Sequence, residues 1–411
     1  MYPELWVMPG TGWTLKSYGF MMMAGFLSAV YLAMRRCMRV KADPDAMLNC
    51  AFVSLVVGVI GARIFFVIHY WDESFANAAN PLLAMVNLTQ GGLEFLGGVI
   101  PAIFVVALYL KWNGLSIRLY GDAMAIVIPW GLCFGRIGCF LNGCCFGSPW
   151  VDQHQGPGSA LAVQFPFGSP AAVRQWEERR ITIPAELIYH GFKSDGKSPL
   201  WEAMPMGRDL ISMTPEAREK PLRKFNQLKE SLKHAQAEDP DGEETSKLAE
   251  RLKRQESIRD AHRLKIAPLL IAQKYPSRED PGIRTAFSEV RGLADRHPAL
   301  WARPSQLYSA VSALLLANLL ARIFHRRKRH GLVFGLLLVL YPLNRLALEV
   351  IRSDNPLDTF GLTVSQAMSL GMIAAGIIWI VVIYRFMPER SPAAVPWTPP
   401  EQQGDTAPES G

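Results

Sequence analysis

The segment Gly135–Gly147, with the sequence GRIGCFLNGCCFG, places one arginine among glycines and cysteines. Arg136 has no carboxylate three or four residues away, so no side chain on its own helix can neutralise it. Gly135 and Gly138 leave room for a ligand or a backbone to approach. Because a guanidinium binds two phosphate oxygens at once, the pattern fits an anionic lipid headgroup, and it fits an inter-helix salt bridge equally well.

Three cysteines follow Arg136 in the same segment, at positions 139, 144 and 145. Their spacing is not that of a paired C-x-x-C zinc motif, and no histidine lies nearby in sequence. Buried cysteine more often acts as a small apolar residue. The spacing therefore predicts no metal site and no cofactor.

Other ionisable residues lie within apolar runs, where each costs a few kcal/mol, roughly 2.5–3.5 for arginine at the centre of a span. They are Arg63, Arg345 and Glu349, with Arg352 just beyond. Glu349 stands four residues after Arg345, so the two can pair on one helix flank. Hydrogen-bonding groups accompany them at Tyr18, Asn142, Gln306 and Tyr308. These could orient a headgroup or serve as contacts between helices.

The segment Gly91–Gly98 has paired glycines at each end and includes Gly97 and Gly98. A kinked or re-entrant start to a span, facing a water-accessible cavity, would explain the pattern. Close packing of small residues between helices would explain it equally well.

Seven apolar runs must position these groups, each near the ~20 residues that cross a hydrocarbon core. They are Tyr18–Met34, Ala46–Tyr70, Gly92–Trp112, Gly121–Leu141, Gln306–Phe324, Gly331–Ile351 and Thr363–Tyr384. The sequence therefore predicts an all-α integral membrane protein with about seven transmembrane helices. The first span is expected to be its own targeting signal, without a cleavable signal peptide.

The net charge of +7 is concentrated in basic clusters that follow the first, third, fifth and seventh spans, whereas residues 71–90 contain no lysine or arginine. By the positive-inside rule, the N-terminus lies outside and the C-terminus inside. Since the clusters alternate with spans and form no single stripe, they predict no nucleic-acid partner.

A long polar block interrupts the spans. We predict membrane spans 1–4 within residues 1–149, an extracytoplasmic head at 150–301, spans 5–7 within 302–388 and a disordered cytoplasmic tail at 389–411. The head, α+β or mostly helical, is expected to have strand and loop at Ser159–Phe192, including a strand near Ala162. A charged helix pair should follow, beginning near Pro215.

Taken in order along the chain, these motifs resemble those of the prolipoprotein diacylglyceryl transferase family. Gly135–Gly147 resembles its signature, G-R-x-G-N-F-x-N-x-E-x-x-G, and Arg303–Tyr308, RPSQLY, resembles its H-P-[ST]-Q-L-Y-E element. Further similarities lie at Ser17–Gly19, Gly61–Arg63, Gly91–Gly98, Asn344–Arg352 and Leu362–Gln366.

The resemblance implies transfer of the diacylglyceryl group of phosphatidylglycerol to the lipobox cysteine of a prolipoprotein, forming a thioether and releasing glycerol phosphate. The implied location is the bacterial inner membrane, with the head on the periplasmic face. Arg136 and Arg345 would stabilise the departing phosphate. The remaining candidates for substrate binding are Tyr18, Arg63, Gly97, Gly98, Asn142, Gln306, Tyr308, Glu349 and Arg352.

This chain departs from the family pattern at four positions. Cys139 and Cys144 replace the signature's asparagine and glutamate, Leu96 stands where histidine or tyrosine is common, and Arg303 replaces the histidine before Pro-Ser-Gln. The substrate thiol must lose its proton near neutral pH. Glu94, Glu349, Tyr18 or water are the conceivable bases, and the arginines could themselves lower the pKa of that thiol.

Two other functions fit the same residues. A non-enzymatic phospholipid-binding or transport protein would use the arginines as a lipid site, although the chain shows no clear internal repeat. Alternatively, the head could be a cell-envelope docking module on an inactive membrane part.

Overall fold

The structure is a computed structural model, and it describes residues 4–7, 14–71, 75, 85–86, 92–154, 156–184, 187–192, 199–206, 215–238, 245–253, 255–256, 287–349, 363–394 and 396–397. Strands β1 (Glu4–Val7) and β2 (Thr14–Lys16) form an antiparallel pair, as do β3 (Ile188–Phe192) and β4 (Pro199–Pro205). The helices, in chain order, are α1 (Ser17–Arg39), α2 (Pro44–His69), α3 (Phe95–Trp112), α4 (Ile117–Asn142), α5 (Pro170–Glu177), α6 (Pro215–Glu238), α7 (Phe287–Arg296), α8 (Ser305–Arg326), α9 (Leu332–Glu349) and α10 (Val364–Phe386).

Seven helices in the described ranges are long and apolar enough to cross a membrane, namely α1–α4 and α8–α10. Each coincides with one predicted span, so the predicted fold class is confirmed. Large apolar side chains such as Phe52, Phe104 and Leu315 are exposed on these helices. Because lipid hydrocarbon surrounds the spans of a membrane protein, such side chains can lie on the outer surface of its helix bundle.

The described chain forms two compact units, which divide within α4 after Gly138 and within α8 after Gln306. The membrane unit contains α1–α3, most of α4, most of α8, α9 and α10. The head unit contains β1, β2 and the described residues from Cys139 to Gln306. The predicted head limits, 150–301, concern where the chain leaves the membrane and stay a prediction.

In the membrane unit, one apolar core joins α1, α2, α3, α4, α8 and α9, with Leu110, Ile126 and Phe324 among its buried members. A buried carboxylate fixes the turn between α8 and α9. Asp122 accepts hydrogen bonds from the backbone N–H groups of Gly331 (2.8 Å) and Phe334 (2.9 Å). These bonds satisfy N–H groups at the start of α9, which would otherwise lack intrahelical partners.

Within the head unit, a short backbone clasp joins residues 147–150 to residues 301–303. Trp150 N donates to Trp301 O (2.7 Å), Gly147 N to Arg303 O (3.0 Å) and Arg303 N to Ser148 O (3.1 Å). Beyond the clasp, Phe165 is fully buried and packs with the apolar side chains around it. The two ends of the inserted block are therefore fastened to each other.

Two expectations for the head were wrong in detail. Within Ser159–Phe192, which was expected to be strand and loop, α5 forms because Ser169 caps it by accepting from Ala172 N and Pro170 occupies its first turn. The expected strand near Ala162 is reduced to an isolated bridge between Val163 and Ala302. The helix predicted to start at Pro215 is present as α6.

Candidate active site

Arg136 lies near the end of α4, on a stretch where glycines allow α1 to approach. A Cβ added at Gly138 would lie 3.2 Å from Tyr18 Cδ2, and one at Gly135 would lie 3.3 Å from Met22 Sδ. Two residues of the predicted site, Tyr18 and Arg136, thus belong to one closely packed pair of helices. Arg136 itself is half-buried, so it is neither enclosed by the helices nor fully exposed.

The signature segment ends in a turn held by the Arg303–Tyr308 element. Gln306 Nε2 donates to Cys144 O (2.8 Å), and Ser305 Oγ donates to Cys145 O (2.7 Å). Both side chains are buried. A Cβ at Gly147 would lie 2.6 Å from Arg303 O, which explains a glycine at that position. Two motifs about 160 residues apart in sequence thus form one structure.

Arg303 occupies the position of the family's histidine, and its side chain is used within the head unit. Its Nη1 donates to Ser148 Oγ (3.1 Å), and its guanidinium lies 5.3 Å from the centre of the Trp150 ring. These contacts brace the clasp. They indicate a structural role for this substitution.

Arg345 and Glu349 form the predicted pair, with 3.1 Å between Arg345 Nη2 and Glu349 Oε2. The start of α10 completes the group: Arg345 Nε donates to Ser365 Oγ (2.9 Å) and Thr363 Oγ1 donates to Glu349 Oε1 (3.2 Å). The Asn344–Arg352 and Leu362–Gln366 motifs therefore meet, although Arg352 and Leu362 lie outside the described residues.

Arg63 holds the segment that precedes α3. Its Nε donates to Met85 O (2.8 Å) and its Nη1 to Gly92 O (2.9 Å). Gly92 has a φ of +80°, a conformation that favours glycine, and α3 begins only at Phe95. A non-helical lead into α3 is therefore present at residues 92–94.

Gly97 and Gly98 pack against α2. A Cβ at Gly97 would lie 2.3 Å from Phe65 Cβ, and one at Gly98 would lie 2.7 Å from Gly58 O. Of the two explanations for the glycine-rich segment, the structure directly shows the close packing of small residues. The two glycines serve helix packing whether or not a headgroup also lies near them.

His69 and Glu94 form a carboxylate–imidazole pair, with 3.3 Å between His69 Nδ1 and Glu94 Oε1. The pair was missed as a possible base because its members lie on different elements, 25 residues apart. No periodicity in the sequence brings them together. Of the remaining candidates, Tyr308 is half-buried in α8 and Asn142 is exposed at the end of α4.

The three cysteines of the signature lie together. The Sγ atoms of Cys139, Cys144 and Cys145 all lie within 4.8 Å of one another. Spacing alone did not indicate this arrangement, because it depends on a turn after α4 in which Gly143 has φ +84° and Cys145 has φ +57°. The available signal in the sequence was that Cys144 and Cys145 are adjacent and follow closely after Cys139 at the end of α4.

These helices define a multi-pass membrane protein in which Arg136 lies on a helix with glycine-rich contacts to α1. The sequence model of the prolipoprotein diacylglyceryl transferase family matches residues 6–382, and the chain belongs to this family.

Similar proteins include the phosphatidylglycerol–prolipoprotein diacylglyceryl transferase of Rhodopirellula baltica, 28% identical over 91% of this chain and 73% of that protein. Proteins of the same name from Chromohalobacter salexigens and Chloroflexus aggregans are 30% and 35% identical over 45% and 33% of this chain. The aligned regions span 57% and 43% of those two relatives.

Proposed function

We propose that this protein transfers the diacylglyceryl group of phosphatidylglycerol to the lipobox cysteine thiol of prolipoproteins. The observation that carries the proposal is the family match along residues 6–382, within which Arg136 and its glycines stand in the signature. We further propose an inner-membrane location, an extracytoplasmic head and signal peptides with a lipobox cysteine as the protein substrate.

The enzyme does not have to supply a nucleophile, because the nucleophile belongs to the substrate. Its thiolate attacks the glyceryl carbon next to the phosphate, the C–O bond breaks, and glycerol phosphate departs with the electron pair. Arg136 would stabilise the negative charge of that leaving group through two charge-assisted hydrogen bonds.

Arg345 differs from Arg136 in that its charge has a carboxylate partner on the same helix. Its charge is already matched by Glu349 at 3.1 Å, and Ser365 also engages it. We therefore assign Arg136 the main electrostatic role. Arg345 and Glu349 would stabilise α9 and the start of α10, and Tyr18 and Tyr308 would be headgroup contacts.

The test is a reconstituted transfer assay with phosphatidylglycerol vesicles and a fluorescent lipobox peptide, in which the thioether product is measured by mass. The wild-type chain should form product, and Arg136→Lys should lower the rate by about 10²-fold, the effect of losing one well-placed donor to a developing anion. Arg322→Lys, an exposed arginine on α8, is the matched control and should retain the wild-type rate.

Two results would contradict the proposal. A folded wild-type chain that binds phosphatidylglycerol but forms no thioether would identify a lipid-binding protein. An Arg136→Lys variant as active as Arg322→Lys would remove Arg136 from the phosphate-stabilising role.

A further inference from the structure

Two kinds of cysteine occur in this chain. Cys37 and Cys50 are buried in the apolar core of the membrane unit, where a thiol serves as a small apolar group. Cys144 and Cys145 are half-buried beyond the end of α4 and belong to no apolar cluster of the described chain. Together with Cys139 they form a group of three thiols that packing alone does not explain.

Backbone hydrogen bonds within the turn, and side-chain hydrogen bonds from α8, hold this group in place. Cys139 O accepts hydrogen bonds from Gly143 N (2.8 Å) and Cys144 N (3.2 Å), which turns the chain back over the last turn of α4. Ser305 and Gln306 then fix the carbonyl groups of Cys145 and Cys144. The cysteine turn is therefore anchored by buried side chains from α8, as the outer-shell contacts of a metal site anchor its ligands.

The distances suit a thiophilic ion. Tetrahedral zinc has Zn–S bonds of about 2.3 Å, which places its sulfur ligands about 3.8 Å apart. The sulfurs here all lie within 4.8 Å of one another. Side-chain rotation that shortens each sulfur–sulfur distance by at most about 1 Å would therefore give the spacing of three zinc ligands. Soft thiolate ligands select zinc and related ions over magnesium or calcium.

We propose that Cys139, Cys144 and Cys145 bind one Zn²⁺ and leave its fourth position for the thiol of the substrate. Three protein ligands with an open position are typical of catalytic zinc, whereas structural zinc has four. A thiol that binds zinc loses its proton outright, so such an ion would activate the nucleophile.

The role of the fourth position rests on the proposed function. The proton of the substrate thiol passes to solvent, and the sulfur then forms the new C–S bond as the C–O bond to glycerol phosphate breaks. Zinc keeps its oxidation state throughout.

Metal content is the first test and is independent of activity. The full chain, purified in detergent through a tag without histidine, should contain about one equivalent of zinc by elemental analysis. Cys139→Ser and Cys144→Ser should lower it at least tenfold. Cys133→Ser, on the same helix but outside the group, should retain it.

Folding is checked separately, by the elution profile in detergent. The double variant C139N/C144E carries the residues usual in the family signature, so it should elute like wild type and contain no zinc. The proposal is overturned if folded wild type contains less than a tenth of an equivalent of zinc, if zinc remains in Cys139→Ser or Cys144→Ser, or if unreduced protein carries a stoichiometric disulfide among the three cysteines.

Cobalt tests the fourth position. Co²⁺-substituted protein should show the intense visible absorption of tetrahedral thiolate cobalt, and a lipobox cysteine peptide should change it, while the same peptide with serine should not. An unchanged spectrum, or full transfer by zinc-free wild type, overturns the thiol-binding role. Zinc binding and a spectral response without any thioether product would overturn the proposed function and leave the zinc site in place. If the protein contains no zinc, the zinc proposal fails, and the His69–Glu94 pair becomes the candidate base for the substrate thiol.

Discussion

At the residue scale, the charged side chains of the site differ in how their charge is matched. Arg345 faces Glu349 and Ser365, whereas Arg63 donates to two backbone carbonyl groups. Buried ion pairs are costly to break, because the remaining partner keeps its desolvation penalty. These two arginines are therefore held in the structure by partners within the protein.

Removing one member of the Arg345–Glu349 pair should destabilise the protein strongly. Glu349→Gln is expected to lower stability by about 3–5 kcal/mol, because it leaves the half-buried guanidinium of Arg345 without its buried carboxylate partner. Thermal unfolding in detergent measures the change. The double variant Arg345→Met/Glu349→Met should be more stable than Glu349→Gln alone; a double variant less stable than the single one would argue against this account.

The Arg345–Glu349 pair was predictable, because a spacing of four residues places two side chains on one helix flank whatever the rest of the fold does. The pairing of His69 with Glu94 was not, since it depends on how α2 meets the lead into α3. The cysteine group was missed for a related reason. Its geometry depends on a positive φ at Cys145, which no propensity rule assigns to cysteine.

At the scale of the elements, glycines set how closely helices approach. Gly61 also belongs to the contact between α2 and α3, where a Cβ would lie 2.4 Å from Gly97 O. In a membrane, such close backbone contact supplies much of the attraction between helices.

Gly98→Ala should therefore loosen this contact, because its Cβ would lie 2.7 Å from the backbone oxygen of Gly58. Gly58→Ala is a matched control on the facing helix, where the nearest atom is at an ordinary 3.9 Å. We expect an overpacking cost of about 1–3 kcal/mol for Gly98→Ala only. Thermal stability in detergent compares the two, and equal losses would contradict the packing described here.

A second element-scale feature is the attachment of the chain after α10. His330 Nδ1 accepts a hydrogen bond from Ser391 N (3.3 Å), and His330 N donates to Glu389 O (3.1 Å). Burial, together with the positive charges of Arg327, Arg118 and Arg390, lowers the pKa of the His330 ring to about 4. The ring is thus neutral when the segment is attached.

Attachment should weaken as the pH falls from about 6.5 towards 4. Because the pKa of a released histidine is near 6.5, the detached form binds protons in this window while the attached form does not. Hydrogen exchange at Ser391, corrected for its intrinsic rate, should show protection that declines from pH 7 to pH 5. His330→Gln should remove this pH dependence, and a pH-independent wild type would rule out the ring as its cause.

At the scale of the whole molecule, the seven spans were predictable because hydrocarbon thickness fixes their length. The predicted and observed helices differ mainly by a few residues at each end, where caps such as the Thr363–Gln366 box decide the boundary. The head was less predictable. Its α5 is only 8 residues long, too short for a clear helical period.

Orientation is a prediction at this scale. Protease added to intact spheroplasts should cleave within 150–301, which is rich in lysine and arginine, and leave a C-terminal tag intact. Permeabilised cells should lose the tag as well. Loss of the tag in intact spheroplasts would reverse the predicted topology.

The clasp at residues 147–150 and 301–303 has an evolutionary consequence. Since the two ends of the inserted block bond to each other, the bundle receives the same pair of chain ends whatever lies between them. Lengthening the block adds little loop-closure entropy, because that cost grows only slowly with length. The inserted block therefore behaves as an exchangeable cassette, in which lineages could acquire new modules without rebuilding the membrane spans.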